Sequence, residues 1–208
     1  MAKQIEGVYE TVLECAKQEF LEKGFQEASL RTIAQKAGTS TGSIYTRFTD
    51  KKGLFEALVT GTAEGLKSIY VSAQQDFSEL PGTEQKERVN DYSDDKFKEF
   101  IGYIYDHFDE VKLLISCSEG TAYSNFIHSL VEIDVAYSMK FVETACKDAL
   151  LSGRASPELL HIVSSAFLSG VFEIVAHDMN REAADRYIDR LKKFFLAGWD
   201  TILNPDAE

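Results

Sequence analysis

Residues 38 to 48 read GTSTGSIYTRF, small hydroxyl and glycine residues set around one tyrosine and one arginine. Serine and threonine are modest helix formers, and glycine lets a backbone come close to a partner, so the stretch suits short-range hydrogen bonding to something other than protein. Its neighbours extend that chemistry: over residues 31 to 52, Arg31, Lys36, Arg47, Lys51 and Lys52 face only Asp50. Cations flanking small hydroxyls fit a polyanion, with the long side chains on phosphates and the small ones on the edges between them.

Other chemistry is less well provided for. His128 with Glu132 and Glu173 with His177 each stand four residues apart on one helical face, which leaves a metal-binding helical bundle or metalloenzyme as an alternative reading. Di-iron bundles use Glu-x-x-His twice with two further glutamates, and that pattern is missing. There is no G-x-S-x-G elbow and no phosphate-cradling G-x-x-x-x-G-K-[ST]. Cys15, Cys117 and Cys146 lie far apart with no CxxC spacing, as expected of small buried hydrophobes in a reducing compartment. No catalytic residue, metal site or cofactor is expected, and no enzymatic activity.

The elements that position these residues follow from composition and pattern. With 208 residues, 44% of them hydrophobic, the chain can bury a sizeable core in one domain or a small one fused to a larger. The net charge of −12 argues against a general nucleic-acid binder, but the charge is uneven. Residues 1 to 53 hold eight Lys/Arg against seven Asp/Glu, leaving fourteen against twenty-seven for the remainder, a small cationic tip on an acidic body. The start, MAKQIEGVYE, lacks a signal-peptide apolar run, and no later segment reads as a membrane span. A cytoplasmic protein with no membrane partner is expected.

Apolar residues recur at three and four almost everywhere, so the chain reads as all-α, with about nine helices. The first covers 5 to 23 and ends at Gly24; Ser29 caps a second over 30 to 37, ended by Gly38; Ser40 caps a third to about Arg47. Asp50 caps a long fourth helix to about 76, and SELPGTEQKE is expected as a loop. Further helices are expected at 84–107, 109–117, 121–151, 157–178 and 181–203, with Pro205 in the terminal tail.

A short capped helix, a glycine turn and a second short capped helix form the local signature of a helix-turn-helix, whose second helix enters the major groove of DNA. Leu30, Ile33, Ala34, Ala37, Ile44 and Phe48, with Phe20 and Phe25, supply a miniature core. The other face holds Arg31, Thr39, Ser40, Thr41, Gly42, Ser43, Tyr45, Thr46, Arg47 and Lys51, the candidate DNA-binding residues.

The stretch FLEKGFQEASLRTIAQKAGTSTGSIYTRFTDKKGLFEALV, residues 20 to 59, resembles the tetracycline-repressor (TetR) family. It carries that family's aromatic, Gly-Phe, Ser/Thr cap, Ile-Ala, Ala-Gly, Ser-x-Gly, Tyr, Phe and Lys with a following Leu at fixed spacings. The resemblance implies a three-helix DNA-binding domain, 1–53, joined by the long fourth helix to a ligand-binding and dimerisation domain, 54–208. It further implies that Tyr45 and Lys51 contact phosphate, that Arg31 reads a base, and that Thr41 and Gly42 face the bases. Two positions depart from the pattern: Thr39 stands where a small aliphatic is usual, and Arg47 where an aromatic or histidine is common.

One short recognition helix reads few bases, so pairing on a palindromic operator is expected. Broad apolar faces on 157–178 (Leu159, Ile162, Val163, Ala166, Phe167, Gly170, Val171, Ile174) and 181–203 (Ile188, Leu191, Phe194, Phe195, Gly198, Trp199, Ile202) fit a four-helix bundle between two copies. A helical protein-interaction adaptor would also use such faces, but it leaves the cationic tip idle. Nine aromatics between 97 and 141 exceed the chain's 12% average, which points to an apolar or aromatic small-molecule effector. Tyr103, His107, Tyr123, Phe126 and His128 are the candidate ligand residues, each with ring surface or a polar end. The resemblance implies a ligand-responsive repressor in which effector and DNA weaken each other.

Overall fold

A computed structural model describes residues 2–204, with side chains at 7–85 and 95–204; Pro205 lies outside the described residues. Among these the chain forms ten helices and no strand: α1 (Ala2–Glu27), α2 (Leu30–Lys36), α3 (Thr41–Phe48), α4 (Lys51–Ser78), α5 (Gly82–Asp106), α6 (Phe108–Ser116), α7 (Phe126–Ala145), α8 (Lys147–Leu151), α9 (Pro157–Ala176) and α10 (Arg181–Leu203). The all-α expectation holds. Gly24 interrupts α1 with φ 73° and ψ 168°, a conformation open essentially to glycine alone.

Two stretches differ from the expected pattern. The helix expected over 121–151 begins only at Phe126 and breaks at Cys146. Before it, hydroxyls serve the backbone instead of a helix: Ser118 Oγ donates to the Leu114 carbonyl at 2.6 Å, Thr121 Oγ1 donates to Ser118 O at 2.7 Å, and the Tyr123 amide donates to Thr121 Oγ1 at 3.1 Å. The loop expected across SELPGTEQKE is confined to residues 79–81. There the Gln85 amide closes the end of α4, donating to Ser78 O at 3.2 Å and Leu80 O at 2.8 Å.

The chain divides into two compact units, Met1–Gly65 with His107–Phe126, and Leu66–Asp106 with Ile127–Glu208. In the first, α1 packs on α2 and α6, and α2 on α3. Its centre is a trio of phenylalanine rings, Phe20, Phe25 and Phe55, with centroids 5.2–5.9 Å apart, two of the three pairs edge-on. This compact unit holds more than residues 1–53, because α6 docks on α1: the Phe25 amide donates to Cys117 O at 2.9 Å, and Lys17 Nζ lies 3.6 Å from Glu110.

In the second unit Phe100 packs its ring against Tyr70 and Phe172, with centroids 5.6 and 6.2 Å away. Helix α9 is long and apolar enough to cross a membrane by length and composition, which the sequence reading did not anticipate. Its apolarity has a local cause: Leu160, Leu168, Val171, Phe172, Ile174 and Val175 are at most 1% exposed.

The two-helix apolar face is thereby divided. Val171, Ile174 and Ile188, assigned from sequence to pairing, belong to the interior. Gly170 serves α9–α10 contact within the chain: a Cβ there would meet Leu191 at 3.2 Å, and the Tyr187 hydroxyl donates to its carbonyl at 2.9 Å. What stays outward is narrower, Ile162 (63% exposed) and Phe194 (74%), with Ala166, Ser169, Ala197 and Gly198 also exposed.

Candidate functional site

Caps set the ends of both short helices. The Thr32 amide donates to Ser29 Oγ at 3.4 Å, and the Ser43 amide to Ser40 Oγ at 3.2 Å, each satisfying a donor the helix leaves open. Gly38, at φ 63°, makes the turn between them. Helix α2 is also held from behind. Glu19, only 4% exposed, accepts from the Ser29 amide at 3.4 Å and from Lys36 Nζ at 3.1 Å, so a carboxylate sits at the helix's positive end.

With Ile44 and Phe48 buried, α3 turns Gly42, Tyr45 and Thr46 outward, one turn apart on a common face, and Tyr45 is 53% exposed. The Thr46 hydroxyl donates to Gly42 O at 2.8 Å, leaving its oxygen as an outward acceptor. Arg31 and Ser40 are exposed, while Thr39, Thr41, Ser43 and Arg47 are half-buried. Lys51 is placed differently from a solvated cation: its ammonium donates to Gln26 O at 2.9 Å and Ala28 O at 3.1 Å and lies 4.9 Å from the Phe25 ring centroid. Lys36 and Lys51, basic residues of the tip, thus have partners inside the fold, which no charge count could detect.

The α3–α4 junction is tight. Thr49 has φ 69° and ψ −52°, and the Asp50 amide donates to Phe48 O at 2.7 Å, a γ-turn centred on a β-branched residue. Asp50 Oδ1 then accepts from the Gly53 amide at 2.8 Å and starts α4.

The second unit contains a cavity of about 650 Å³, a size and character suited to a small molecule. Four of the nine aromatics counted in sequence line it, Phe97, Phe100, Tyr137 and Phe141, joined by Phe167 and Trp199. None of the five nominated ligand residues does. Tyr123 is within 2.7 Å of Thr60 Oγ1, Phe126 is buried, and His107 stands at the start of α6. Tyr103 is half-buried on α5, and His128 is exposed, with Nε2 3.6 Å from Glu132 and its ring edge-on to His161 at 5.6 Å. Helical phase separates His128 from the lining residues of α7, which recur at three and four from Asp134, whereas Tyr103 stands one turn past Phe100, the last α5 residue on the wall.

The other candidate chemistry is dispersed. His177 and Glu173 form an exposed pair at 2.8 Å, and among the described residues no three metal-ligating groups converge. Cys15, Cys117 and Cys146 are not joined in disulfides, and burial pushes the Cys117 thiol up.

Residues 12–58, from α1 through both short helices into α4, match the tetR family of bacterial regulatory proteins. Over this stretch the chain is similar to the TetR family. The uncharacterized HTH-type transcriptional regulator YvdT of Bacillus subtilis (strain 168) is 39% identical over 71 residues, which cover 32% of this chain and 37% of that protein. A second regulator of that organism, YfiR, also uncharacterized, is 33% identical over 64 residues, 30% of this chain and 31% of that protein. The chain thus matches only about a third of the length of these relatives.

The TetR likeness in fold extends further. A tetR-family transcriptional regulator from Mesorhizobium loti MAFF303099 superposes with a TM-score of 0.53 at 20% identity, covering 95% of this chain and 96% of that one. NalD, the secondary repressor of the MexAB-OprM multidrug efflux pump in Pseudomonas aeruginosa, gives 0.50 at 17% identity, covering 92% and 96%. Of the two departures from the TetR pattern, Thr39 is accommodated half-buried in the turn, its amide donating to Ala34 O at 2.9 Å.

Proposed function

We propose that the chain is a transcriptional repressor that binds a palindromic operator as a homodimer and releases it when an apolar or aromatic effector occupies the cavity. Residues 1–53 read the DNA and 54–208 pair and bind effector, and both activities place the protein in the cytoplasm. The observation that carries this reading is the outward face of α3, where Gly42, Tyr45 and Thr46 stand free of the core within the family-matched stretch. Gly42 lets the helix backbone approach base edges, Tyr45 reaches a phosphate, and Arg31 reads a base from the preceding helix. Thr39, Ser40, Thr41, Ser43, Thr46 and Arg47 complete the surface. Lys51, its carbonyl partners leaving one N–H, both closes the fold and offers a phosphate contact.

Two substitutions test the DNA surface. A Cβ on Gly42 would meet nothing nearer than Ser40 Oγ at 3.7 Å, so Gly42→Ala gains helix propensity of up to about 1 kcal/mol and leaves thermal stability unchanged or raised. On operator DNA the same methyl stands in the groove, and affinity falls by about tenfold or more. Arg31→Ala lowers discrimination at one base position by about 1–3 kcal/mol. Electrophoretic shift titrations on matched and singly mismatched duplexes read both; equal discrimination before and after Arg31→Ala removes its base-reading role, and full operator affinity in Gly42→Ala removes the groove assignment.

Dimerisation is supported by the outward remainder of α9 and α10, where Ile162 and Phe194 lie among small residues. Large exposed apolar groups rimmed by small residues fit a close helix–helix interface.

A further inference from the structure

The cavity of the second unit carries a charge that its aromatic walls do not need. Asp134 of α7 lies on the wall and is held by three donors: the Tyr70 hydroxyl to Oδ1 at 2.6 Å, the Gln74 amide to Oδ1 at 2.8 Å, and the Ser164 hydroxyl to Oδ2 at 2.5 Å. Three donors on two oxygens are the pattern of an ionised carboxylate, which has about four acceptor positions and here keeps one in reserve. Burial, and then the Asp134 charge, push Tyr70 well above the ordinary tyrosine range, so it stays a donor.

Among the described residues no cation forms an ion pair with Asp134. The two lysines of the wall are engaged elsewhere: Lys96 lies 3.5 Å from Asp76 and 3.9 Å from Glu99, and Lys192 lies over the Phe97 ring at 5.4 Å. A tether between α4, α7 and α9 does not require charge, because an asparagine could accept from Tyr70 and Gln74 and donate to Ser164. An unpaired carboxylate beside apolar surface is costly for folding alone.

We propose that this cavity takes lipophilic organic cations, with the aromatic walls receiving the apolar body and Asp134 the charge. The proposal rests on the cavity being the effector site and specifies the sign of what enters it. Phe97, Phe100, Tyr137, Phe141, Phe167 and Trp199 surround the space, and aromatic faces present their negative side to a cation as well as apolar area to its substituents.

The test uses the full chain and two ions of matched shape and opposite charge, tetraphenylphosphonium and tetraphenylborate, with Nile red as a neutral probe, titrated calorimetrically or by fluorescence. Tetraphenylphosphonium is expected to bind about tenfold or more tighter than tetraphenylborate. In Asp134→Asn its affinity falls about tenfold while that of Nile red is unchanged. The net charge of −12 attracts cations to the whole surface, but the substitution removes only one charge, so a local loss separates the site from that background. Equal affinity for the two ions, or an unaltered phosphonium affinity in Asp134→Asn, overturns the cation assignment and leaves the effector cavity standing if Nile red still binds. Failure of all three probes to bind the wild type overturns the effector reading itself. If the variant does not fold, the wild-type comparison of the two ions repeated at high salt, where attraction to the exposed surface charge is screened, decides.

Discussion

Gly53→Ala is expected to destabilise the protein by about 3 kcal/mol, lower its thermal midpoint by roughly 10 °C and weaken DNA binding in proportion. Helix propensity alone predicts the reverse, since Gly53 lies inside α4 and alanine is the better helix former by up to about 1 kcal/mol. Geometry decides the sign. A Cβ at this position would stand 2.0 Å from the Phe48 carbonyl oxygen and 3.1 Å from its carbon. That oxygen is backbone, and it is fixed by the bond from the Asp50 amide at 2.7 Å. Relief requires α4 to move away from α3, which breaks the Asp50 cap on the Gly53 amide and opens the strained turn at Thr49. Gly42→Ala is the matched control, a glycine on the neighbouring helix where a Cβ would make only an ordinary contact, 3.7 Å from Ser40 Oγ. Calorimetry should show a lowered midpoint for Gly53→Ala and an unchanged or raised one for Gly42→Ala; a Gly53→Ala protein as stable as wild type would show that the junction is not as tight as described.

Phe194→Asp is expected to split the dimer while leaving the subunit folded. The ring is 74% exposed in the single chain, so its removal costs the subunit little. Across a twofold interface each substitution acts twice, and losing about 2 kcal/mol of buried aromatic contact per copy weakens association by about a thousandfold. Both readers must then bind separately, and palindromic affinity drops toward that of a half-site. Sedimentation velocity at micromolar concentration should show a monomer for the variant and a dimer for the wild type. A variant that still sediments as a dimer would move the interface elsewhere.

The helices and the outward face of α3 were legible because their signals are local. Ser29, Gly38 and Ser40 each mark a helix end through their own chemistry, and the caps form as the spacing implies. What sequence could not resolve depends on partners far along the chain. Lys36 and Lys51 read as surface cations, yet their partners are Glu19 in α1 and the carbonyls of Gln26 and Ala28, seventeen to twenty-five residues away. The cavity shows the same limit: the aromatic run was visible, but which rings turn inward depends on the phase of α5 and α7 against α4, α9 and α10. Asp134, half-buried on the cavity wall, carried no motif, since its partners Tyr70, Gln74 and Ser164 lie thirty to sixty-four residues away. The break at Cys146 has neither proline nor glycine to announce it.

The account rests on α3 entering the major groove of DNA in pairs, and selection of bound sequences from a random duplex pool with the full-length protein tests that most directly. Enrichment of an inverted repeat, its half-sites related by about a helical turn or a multiple of it, with binding lost on scrambling either half, is the predicted result. A pool that shows no enriched sequence after repeated rounds at moderate salt, or a single unrepeated motif bound by one copy, would contradict it.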